Sequence, residues 1–386
     1  MQKPIKVGID AGNISAKVVS DKVKLLIPSC YSYYLGETAY DEVQSVPLEE
    51  LHNNIDITLF SEATKLLNGQ RIIVGKKVLE DQMRPVEMES KSDKSTDEIP
   101  VVLILSGLAV DAIQRNPDKT EINIEYDLAT SLPVSTITLE KANNHSKRLM
   151  GNHKVTFHLP DKEVTINIRI VFATTLPEGA AGAWSIVFDN NGKKKERKIE
   201  IDNKIEKVTF SDRRILSFDI GGGTTERAIT VGVAFKPRVS DGLPYGVKDT
   251  VLETLKVWNR KNPTRTIEGL SDFDEIYQRS EHPRHNEIVT FFKPGLLQLA
   301  DRLAQDIINK IDEVKDIDLI YIYGGGSIIV RDLLKERLEA KGRLEKVIFS
   351  EDPVFVNADG LFVYCCSPRF EQKKDGKGEL DGTKKD

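Results

Sequence analysis

The sequence predicts an α/β protein built from two similar domains. Two stretches carry the same pattern, in which a buried strand ends in an aspartate, a glycine-containing turn follows, and a second strand returns. One pattern runs through Asp10 and the other through Asp219. A third glycine turn, residues 324–326, follows an apolar strand and begins an amphipathic helix. The repeated hairpins indicate two duplicated domains that face one cleft.

Length and composition agree with this organisation, since 386 residues are enough for two hydrophobic cores. The net charge of −5 argues against a protein that coats nucleic acid directly, so we expect any DNA partner to be reached through an adaptor. Cys30, Cys365 and Cys366 show no CxxC spacing, and the vicinal pair lies in an apolar run, which predicts buried, reduced thiols. With no signal peptide and no apolar run long enough for a bilayer, we expect a cytoplasmic protein without a membrane partner.

The first half begins with the hairpin, predicted as strands over residues 5–9 and 16–20. Residues 25–100 are mixed, with an irregular polar segment and a short apolar run at residues 71–75. The last part of this segment, VEMESKSDKSTDEIP, is predicted to be a flexible surface loop because its composition offers nothing to bury. Helical spacing of apolar residues follows over 100–115, and a strand ends in TSLPV.

Residues 154–171 alternate between apolar and polar side chains on either side of a Pro-Asp-Lys turn, which predicts a β-hairpin. A further strand end leads through Pro177 and Glu178 into a helix that begins with small residues. Residues 189–213 are charged, and we expect a solvated β-ribbon or loop there, with nucleic-acid contact as the lesser alternative.

The second half repeats a strand, a glycine turn and a strand, and adds helices with clear apolar spacing. The elements predicted there are strands at residues 215–218, 228–233 and 319–323, and helices at residues 247–258, 294–314 and 358–364. From Pro368 onward the chain has almost no apolar residues, and we expect a disordered tail.

Glycine turns at strand ends are typical of phosphate sites, because the missing Cβ lets backbone N–H groups approach phosphate oxygens. A carboxylate at the same strand end can hold Mg²⁺ through water. Each turn taken alone is equally well explained as a tight hairpin whose aspartate caps the turn, and Glu178 as a simple helix cap. The recurrence of the pattern, with Lys17 beyond Asp10 and a third turn near residue 324, favours a nucleotide site.

Four stretches together resemble the nucleotide site of the actin, heat-shock chaperone and sugar-kinase superfamily. They are, in the expected chain order, residues 10–17, 177–182, 219–225 and 324–327. The segments DGLPYGVKDTVLETL, LPEGAAGAW and VNADGLF are similar to the ParM-type bacterial actins that segregate plasmids. The resemblance covers residues 4–367 and implies an actin-like (ribonuclease H-like) α/β fold, duplicated into two domains with a nucleotide cleft between them. The 189–213 insertion is longer than this group leads us to expect.

The resemblance also implies domain boundaries. Domain I would comprise residues 1–172 and 352–367 with a smaller subdomain at 31–100, domain II residues 173–351 with a smaller subdomain at 240–315, and the tail residues 368–386.

Three carboxylates would be catalytic by this resemblance. Asp10 and Asp219 would hold the Mg²⁺ of the nucleotide through waters, and Glu178 would orient the attacking water. The phosphates would be met from the first domain by Gly12, Asn13, Ser15 and Lys17. From the second domain they would be met by Gly221, Gly222, Gly223 and Thr224. The nucleoside would lie against Gly324, Gly325, Gly326 and Ser327.

The activity implied is hydrolysis of ATP or GTP with Mg²⁺ by a polymerising protein, whose dynamic filaments segregate plasmid DNA. The partners implied are further copies of the chain and a centromere-binding adaptor protein, with plasmid DNA reached only indirectly. The choice between ATP and GTP stays open, because backbone contacts at residues 324–327 are largely indifferent to the edge of the base.

Two other functions of the same fold remain as alternatives. A small-molecule kinase acting on a sugar or an acid would need an acidic base for the substrate hydroxyl, whereas Glu178 takes the water-orienting position. A chaperone-type ATPase would carry a further substrate domain, but only a short polar tail follows residue 367.

Overall fold

The computed structural model describes residues 3–36, 45–88, 92–201 and 204–376. The strands are β1 (Ile5–Ala11), β2 (Ser15–Ser20), β3 (Lys24–Pro28), β4 (Cys30–Tyr33), β5 (Ile55–Phe60), β6 (Arg71–Val74), β7 (Val86–Glu87), β8 (Glu121–Leu132), β9 (Gly151–His158), β10 (Glu163–Pro177), β11 (Glu196–Ile201), β12 (Lys204–Thr209), β13 (Arg214–Ile220), β14 (Thr225–Val231), β15 (Ala234–Phe235), β16 (Asp241–Leu243), β17 (Leu319–Tyr323) and β18 (Val347–Phe349). The helices are α1 (Lys76–Glu80), α2 (Ile99–Arg115), α3 (Leu139–Leu149), α4 (Ala180–Val187), α5 (Val247–Lys261), α6 (Gly269–Gln278), α7 (His285–Glu313), α8 (Gly325–Ala340), α9 (Val356–Cys365) and α10 (Pro368–Lys374). None of the helices in these ranges combines the length and the apolar content that a bilayer span requires.

The chain divides into two compact units. Unit 1 comprises Met1–Lys194 and Asn357–Asp386, and unit 2 comprises Lys195–Val356. The boundaries predicted above for the two actin-like domains stay a prediction, because compactness alone does not define the domains of a family.

Ten of the described strands form the sheet of unit 1, in the order β3-β2-β1-β8-β10-β9-β5-β6-β4-β7. Strand β1 pairs antiparallel with β2 and parallel with β8, and β8 pairs parallel with β10. Helix α2 covers this sheet closely, since a Cβ on Gly107 would lie 2.6 Å from Cγ2 of Val18 in β2. Because parallel strands end at the same edge, the residues that follow β1, β8 and β10 become neighbours.

The sheet of unit 2 has the order β15-β14-β13-β17-β18 within the described residues, and β16 pairs with β14. Strand β13 pairs antiparallel with β14 and parallel with β17. Unit 1 has the same arrangement, since β1 pairs antiparallel with β2 and parallel with β8. The predicted duplicated α/β architecture is therefore confirmed.

Helix α7 begins earlier than the sequence predicts. The apolar spacing predicts a helix from Pro294, whereas the helix begins at His285 and contains Pro294 in its interior. The earlier turns belong to the same apolar stripe, since Ile288 and Phe292 are buried in line with Leu296. Burial of this stripe outweighs the disruption that an internal proline causes.

The mixed segment after residue 25 contains more strand than the sequence predicts. Strands β3 and β5 alternate between buried and more exposed residues, and β4 and β6 join β5 in the unit 1 sheet. These strands are only four to six residues long and are separated by polar sequence, so each one gives only a short local pattern. The part of this segment at residues 37–44 lies outside the described residues.

The C-terminal end also differs from prediction. The expectation of disorder from Pro368 onward is wrong for residues 368–374, which form helix α10. Phe370 is fully buried and packs edge-on against Phe172, which anchors this short helix to unit 1. Residues 377–386 lie outside the described residues. Of the vicinal thiols, Cys365 is buried as predicted and Cys366 is exposed.

Candidate functional site

The ends of three strands bring two carboxylates and a serine hydroxyl together at one edge of the unit 1 sheet. Asp10 lies near the end of β1 with 6% of its surface exposed. Ser131, near the end of the neighbouring β8, donates from Oγ to Oδ1 of Asp10 at 3.0 Å. Glu178 directly follows β10, and its backbone N–H donates to the carbonyl of Leu132 at 2.8 Å. The parallel register of β1, β8 and β10 is therefore what gathers residues that are far apart in sequence.

The first glycine turn lies under the lysine predicted to contact phosphate. Lys17 is the antiparallel partner of Asp10 in the β1–β2 hairpin. A Cβ on Gly12 would lie 2.8 Å from the carbonyl oxygen of Ser15 and 3.0 Å from Nζ of Lys17. The ammonium group therefore lies against the turn, and only glycine leaves room for it. Asn13 and Ser15 are half-buried in the same hairpin.

Glu178 is almost completely enclosed. It has 6% of its surface exposed, and Gly179, the residue that caps α4, follows it. Nζ of Lys94 donates to Oε1 of Glu178 at 2.9 Å. Burial raises the pKa of the Glu178 carboxyl, Lys94 opposes that rise, and the nearby charge of Asp10 adds to it. Lys17 also lowers this pKa, so Asp10, Lys17, Lys94 and Glu178 form one electrostatic cluster.

Lys94 contacts the candidate site through Glu178, and the sequence does not reveal this contact. It belongs to the segment predicted to be a flexible loop with nothing to bury, and that prediction is wrong for residues 92–98. Lys94 is 7% exposed, and Arg148 of α3 donates to the backbone carbonyls of Ser95 and Asp97. The Asp-Lys-Ser-Thr sequence signals a turn, but its burial depends on α3, which is distant in sequence. Residues 89–91 of the segment lie outside the described residues.

In unit 2 the second and third glycine turns pack directly on each other. Asp219 in β13 is the parallel partner of Tyr323 in β17, and Gly324 follows. A Cβ on Gly324 would overlap Oδ1 of Asp219, and Gly324 has a φ of +91°. A Cβ on Gly326 would lie 2.8 Å from the carbonyl oxygen of Gly221. Both positions therefore require glycine for contacts inside the protein itself.

A helix that the sequence assigns only to the core also begins at the second glycine turn. The N–H groups of Val247 and Lys248 at the start of α5 donate to the carbonyls of Gly221 and Gly222, at 3.2 and 2.9 Å. These hydrogen bonds occupy the first N–H groups of α5 and fix the turn against the start of the helix. Gly222, Gly223 and Thr224 are half-buried beside it.

The third turn has one open position. Gly325 is exposed, and a Cβ there would meet no atom within 4 Å. Ser327, in contrast, is 4% exposed and donates from Oγ to the carbonyl of Gly324 at 2.7 Å. The Ser327 hydroxyl therefore closes the turn, and the backbone at Gly325 is the part of this turn that a ligand can approach.

Comparisons with known proteins agree with this arrangement. Residues 8–180 match the family model described as "Actin like proteins N terminal domain". The crystal structure of the actin-like protein Alp7A is 17% identical, with a TM-score of 0.74 over 97% of this chain and 99% of that one. Bacillus thuringiensis ParM with ATP is 17% identical, with a TM-score of 0.66 over 96% of this chain and 100% of that one. Ta0583, an archaeal actin homolog, is 16% identical, with a TM-score of 0.62 over 93% of this chain and 98% of that one. No curated protein sequence matches the chain significantly.

The chain therefore has an actin-like fold of two duplicated α/β halves. The predicted resemblance to ParM-type actin-like proteins is confirmed by the family match and by the ParM and Alp7A structures together. At these identities the structural likeness shows the fold alone, and activity has to be argued from the residues.

Proposed function

We propose that the chain is an actin-like nucleotide hydrolase that assembles into filaments. One observation carries the proposal: each unit places an aspartate at a strand end against a glycine turn, and unit 1 adds Lys17 and Glu178 beside Asp10. The ParM structures that resemble the chain are described with ATP, AMPPNP and ADP, which supports a nucleotide as the ligand.

The residues present fit a magnesium nucleotide. We propose that Asp10 and Asp219 hold one Mg²⁺ through waters, and Ser131 fixes the Asp10 carboxylate by its hydrogen bond. Bound Mg²⁺ supplies positive charge to the β- and γ-phosphates. Lys17 adds a second positive charge at the Gly12 turn, where glycine leaves space for the ammonium group.

The glycine turns supply neutral donors to the same phosphates. In unit 1 these are the N–H groups around Asn13 and Ser15, since that of Gly12 donates to the carbonyl of Asp10 at 3.1 Å. In unit 2 they are the N–H groups of Gly222, Gly223 and Thr224, since that of Gly221 donates to the carbonyl of Thr224 at 2.9 Å. The nucleoside lies against the turn after β17, where Gly325 leaves the backbone open.

Glu178 orients the water that attacks the γ-phosphate. A carboxylate accepts a hydrogen bond from water and aligns it, but it adds modest power because phosphoryl transfer depends mainly on positioning and on charge neutralisation. Hydrolysis is therefore slow in the isolated chain. In a filament, hydrolysis limits the lifetime of the polymer, since subunits that have hydrolysed their nucleotide bind their neighbours less firmly.

The filaments are proposed to act in the cytoplasm and to move plasmid DNA through a centromere-binding adaptor protein. Two observations support the use of an adaptor. The net charge of −5 disfavours direct binding to DNA, and the resemblance to ParM-type proteins implies the same division of labour.

Light scattering tests the assembly directly. The purified chain is mixed with Mg²⁺ and with ATP, with GTP or with neither, and the product is viewed by electron microscopy. We expect scattering to rise with one triphosphate and to fall as phosphate is released. A chain that stays in the supernatant with both nucleotides at high concentration contradicts filament assembly, and transfer of phosphate to an added sugar or acid would identify a kinase instead.

A further inference from the structure

The ion pair between Lys94 and Glu178 is buried on both sides, with each side chain 8% exposed. We propose that Lys94 is a positioning residue for Glu178 and holds the Glu178 carboxylate in one orientation beside Asp10. The proposal rests on the proposed function, in which Glu178 orients the attacking water. Lys94 thus contributes to hydrolysis from a segment that is distant in sequence from all the glycine turns.

Glu178 needs a cation because of its surroundings. Within the described residues, three charged side chains act on Glu178: Lys94 from the turn at residues 93–96, Lys17 from β2 and Asp10 from β1. A buried carboxylate is costly unless it is paired and hydrogen-bonded. Lys17 lies against the Gly12 turn, where it is proposed to meet phosphate. Lys94 is the cation whose hydrogen bond goes to Glu178 itself.

The geometry also fixes the orientation of Glu178. Its backbone N–H is held by the carbonyl of Leu132 at 2.8 Å, and the N–H of the next residue, Gly179, donates to Oδ1 of Asn357 at 3.2 Å. Lys94 then engages Oε1 of the side chain. With Oε1 occupied, Oε2 is the oxygen that can align a water. The backbone and one carboxylate oxygen are therefore both restrained, as a pre-organised site requires.

The turn that presents Lys94 is itself held in place. The carboxylate of Asp93 accepts hydrogen bonds from the N–H and Oγ of Ser95, at 3.0 and 2.7 Å. Lys141 of α3 pairs with Asp93 at 2.7 Å, and Arg148 of the same helix donates to the carbonyl of Asp97 at 2.8 Å. Burying a lysine costs side-chain entropy and hydration, so these restraints serve to keep the ammonium group at one point.

A purely structural ion pair is the competing explanation, and substitutions that change charge separate the two. The variants are Lys94→Met, Lys94→Arg, Glu178→Gln and the double variant with Lys94→Met and Glu178→Gln. Phosphate release in a single turnover gives the rate of hydrolysis, and titration with a fluorescent ATP analogue gives the affinity. Lys76→Met is the matched control, because Lys76 forms an exposed ion pair with Glu80 in the same unit.

We expect Lys94→Met to lower the hydrolysis rate about tenfold or more, with the analogue affinity within about twofold of wild type. Lys94→Arg should restore most of the rate, and Lys94→Met should have no further effect in the Glu178→Gln background, since the two residues act as a unit. A rate unchanged by Lys94→Met, or lowered equally in the Glu178→Gln background, overturns the proposal.

The remaining outcomes distinguish a folding defect, failure of the proposed function and failure of the inference about Lys94. If Lys94→Met fails to fold, Lys94→Gln, which keeps a hydrogen-bond donor without the charge, is measured in the same way and is held to the same expectation. If the wild-type chain releases no phosphate from ATP or GTP, the proposed function itself fails and the role of Lys94 fails with it. If the wild type hydrolyses nucleotide and the Lys94 variants match it, only the inference about Lys94 is wrong.

Discussion

The carboxylate of Asp219 occupies the space that a side chain on Gly324 would need. The two residues come from neighbouring parallel strands, β13 and β17, which end at the same edge of the unit 2 sheet. The carboxylate proposed to serve Mg²⁺ and the turn proposed to meet the nucleoside are therefore one packed structure.

Gly324→Ala should disrupt this packing. The added methyl group meets Oδ1 of Asp219, and the φ of +91° is unfavourable for alanine. We expect the free energy of unfolding to fall by about 2 kcal/mol or more, measured in urea, and nucleotide affinity to fall as well.

Gly325→Ala is the matched control for stability, since a Cβ there meets no atom within 4 Å and alanine favours the helix that starts at that residue. It should unfold at the wild-type denaturant concentration or slightly above it. Equal destabilisation by both substitutions would contradict the packing argument.

Glu178→Ala should separate binding from hydrolysis. The change removes the group proposed to orient water and leaves Asp10 and the glycine turns in place. We expect phosphate release to fall about 100-fold or more, nucleotide binding to persist, and filaments to outlast those of the wild type. The volume-matched Glu178→Gln should give the same result, and phosphate release at the wild-type rate in either variant would refute the role.

His145 should make the chain less stable in mild acid. It is 1% exposed in α3, and burial lowers its pKa from 6.5 to about 4. The unfolded chain therefore takes up a proton near pH 6.5 that the folded chain refuses until about pH 4. The contribution of neutral His145 to the free energy of unfolding is complete above pH 6.5 and is lost as the pH falls towards about 4. We expect this loss to be about 2 kcal/mol between about pH 7 and about pH 5.

Urea unfolding at these two pH values measures this loss. His145→Gln should unfold with a smaller pH dependence than the wild type, because glutamine does not titrate in this range. His153, which is also buried with a lowered pKa, contributes in the same direction and stays in both proteins. An identical pH dependence in variant and wild type would show that His145 does not titrate as described.

Helix α10 should contribute to the stability of unit 1. Phe370 is fully buried against Phe172 and Tyr364, and Lys374 forms an ion pair with the buried Asp127 at 2.7 Å. Phe370→Ala should lower the free energy of unfolding by about 3 kcal/mol, whereas the same change at the exposed neighbour Arg369 should have little effect. Equal, small effects of both changes would mean that α10 is dispensable.

The parts of the fold that could be predicted from sequence are those whose pattern of apolar residues and glycines lies within one short stretch of chain. Strand β17 runs over Leu319–Tyr323 as predicted, because five consecutive apolar residues end at a glycine turn. Within residues 189–213, where the charged sequence predicts a β-ribbon or loop, strands β11 and β12 pair antiparallel. The aspartates and glycine turns were identifiable because each unit repeats the same hairpin.

The parts that could not be predicted depend on distant contacts. Lys94 lies in a polar segment whose composition predicts exposure, and its burial comes from α3 and from Glu178. The start of α5 follows an ordinary helix pattern, and its place at the second glycine turn is set by the hydrogen bonds of Val247 and Lys248. A periodic pattern reports which face of an element is apolar, and it does not report which polar atoms meet at its end.

The central claim is that Asp10 and Asp219 serve the same magnesium nucleotide. Titration of a fluorescent ATP analogue, with Mg²⁺ and with Mg²⁺ chelated, tests it in the wild type, in Asp10→Asn and in Asp219→Asn, with the exposed Asp212→Asn as control. Each of the two site variants should bind about 10- to 100-fold more weakly than the wild type in Mg²⁺, and the differences should vanish when Mg²⁺ is chelated. Wild-type affinity in Mg²⁺ for either Asp10→Asn or Asp219→Asn would contradict the claim.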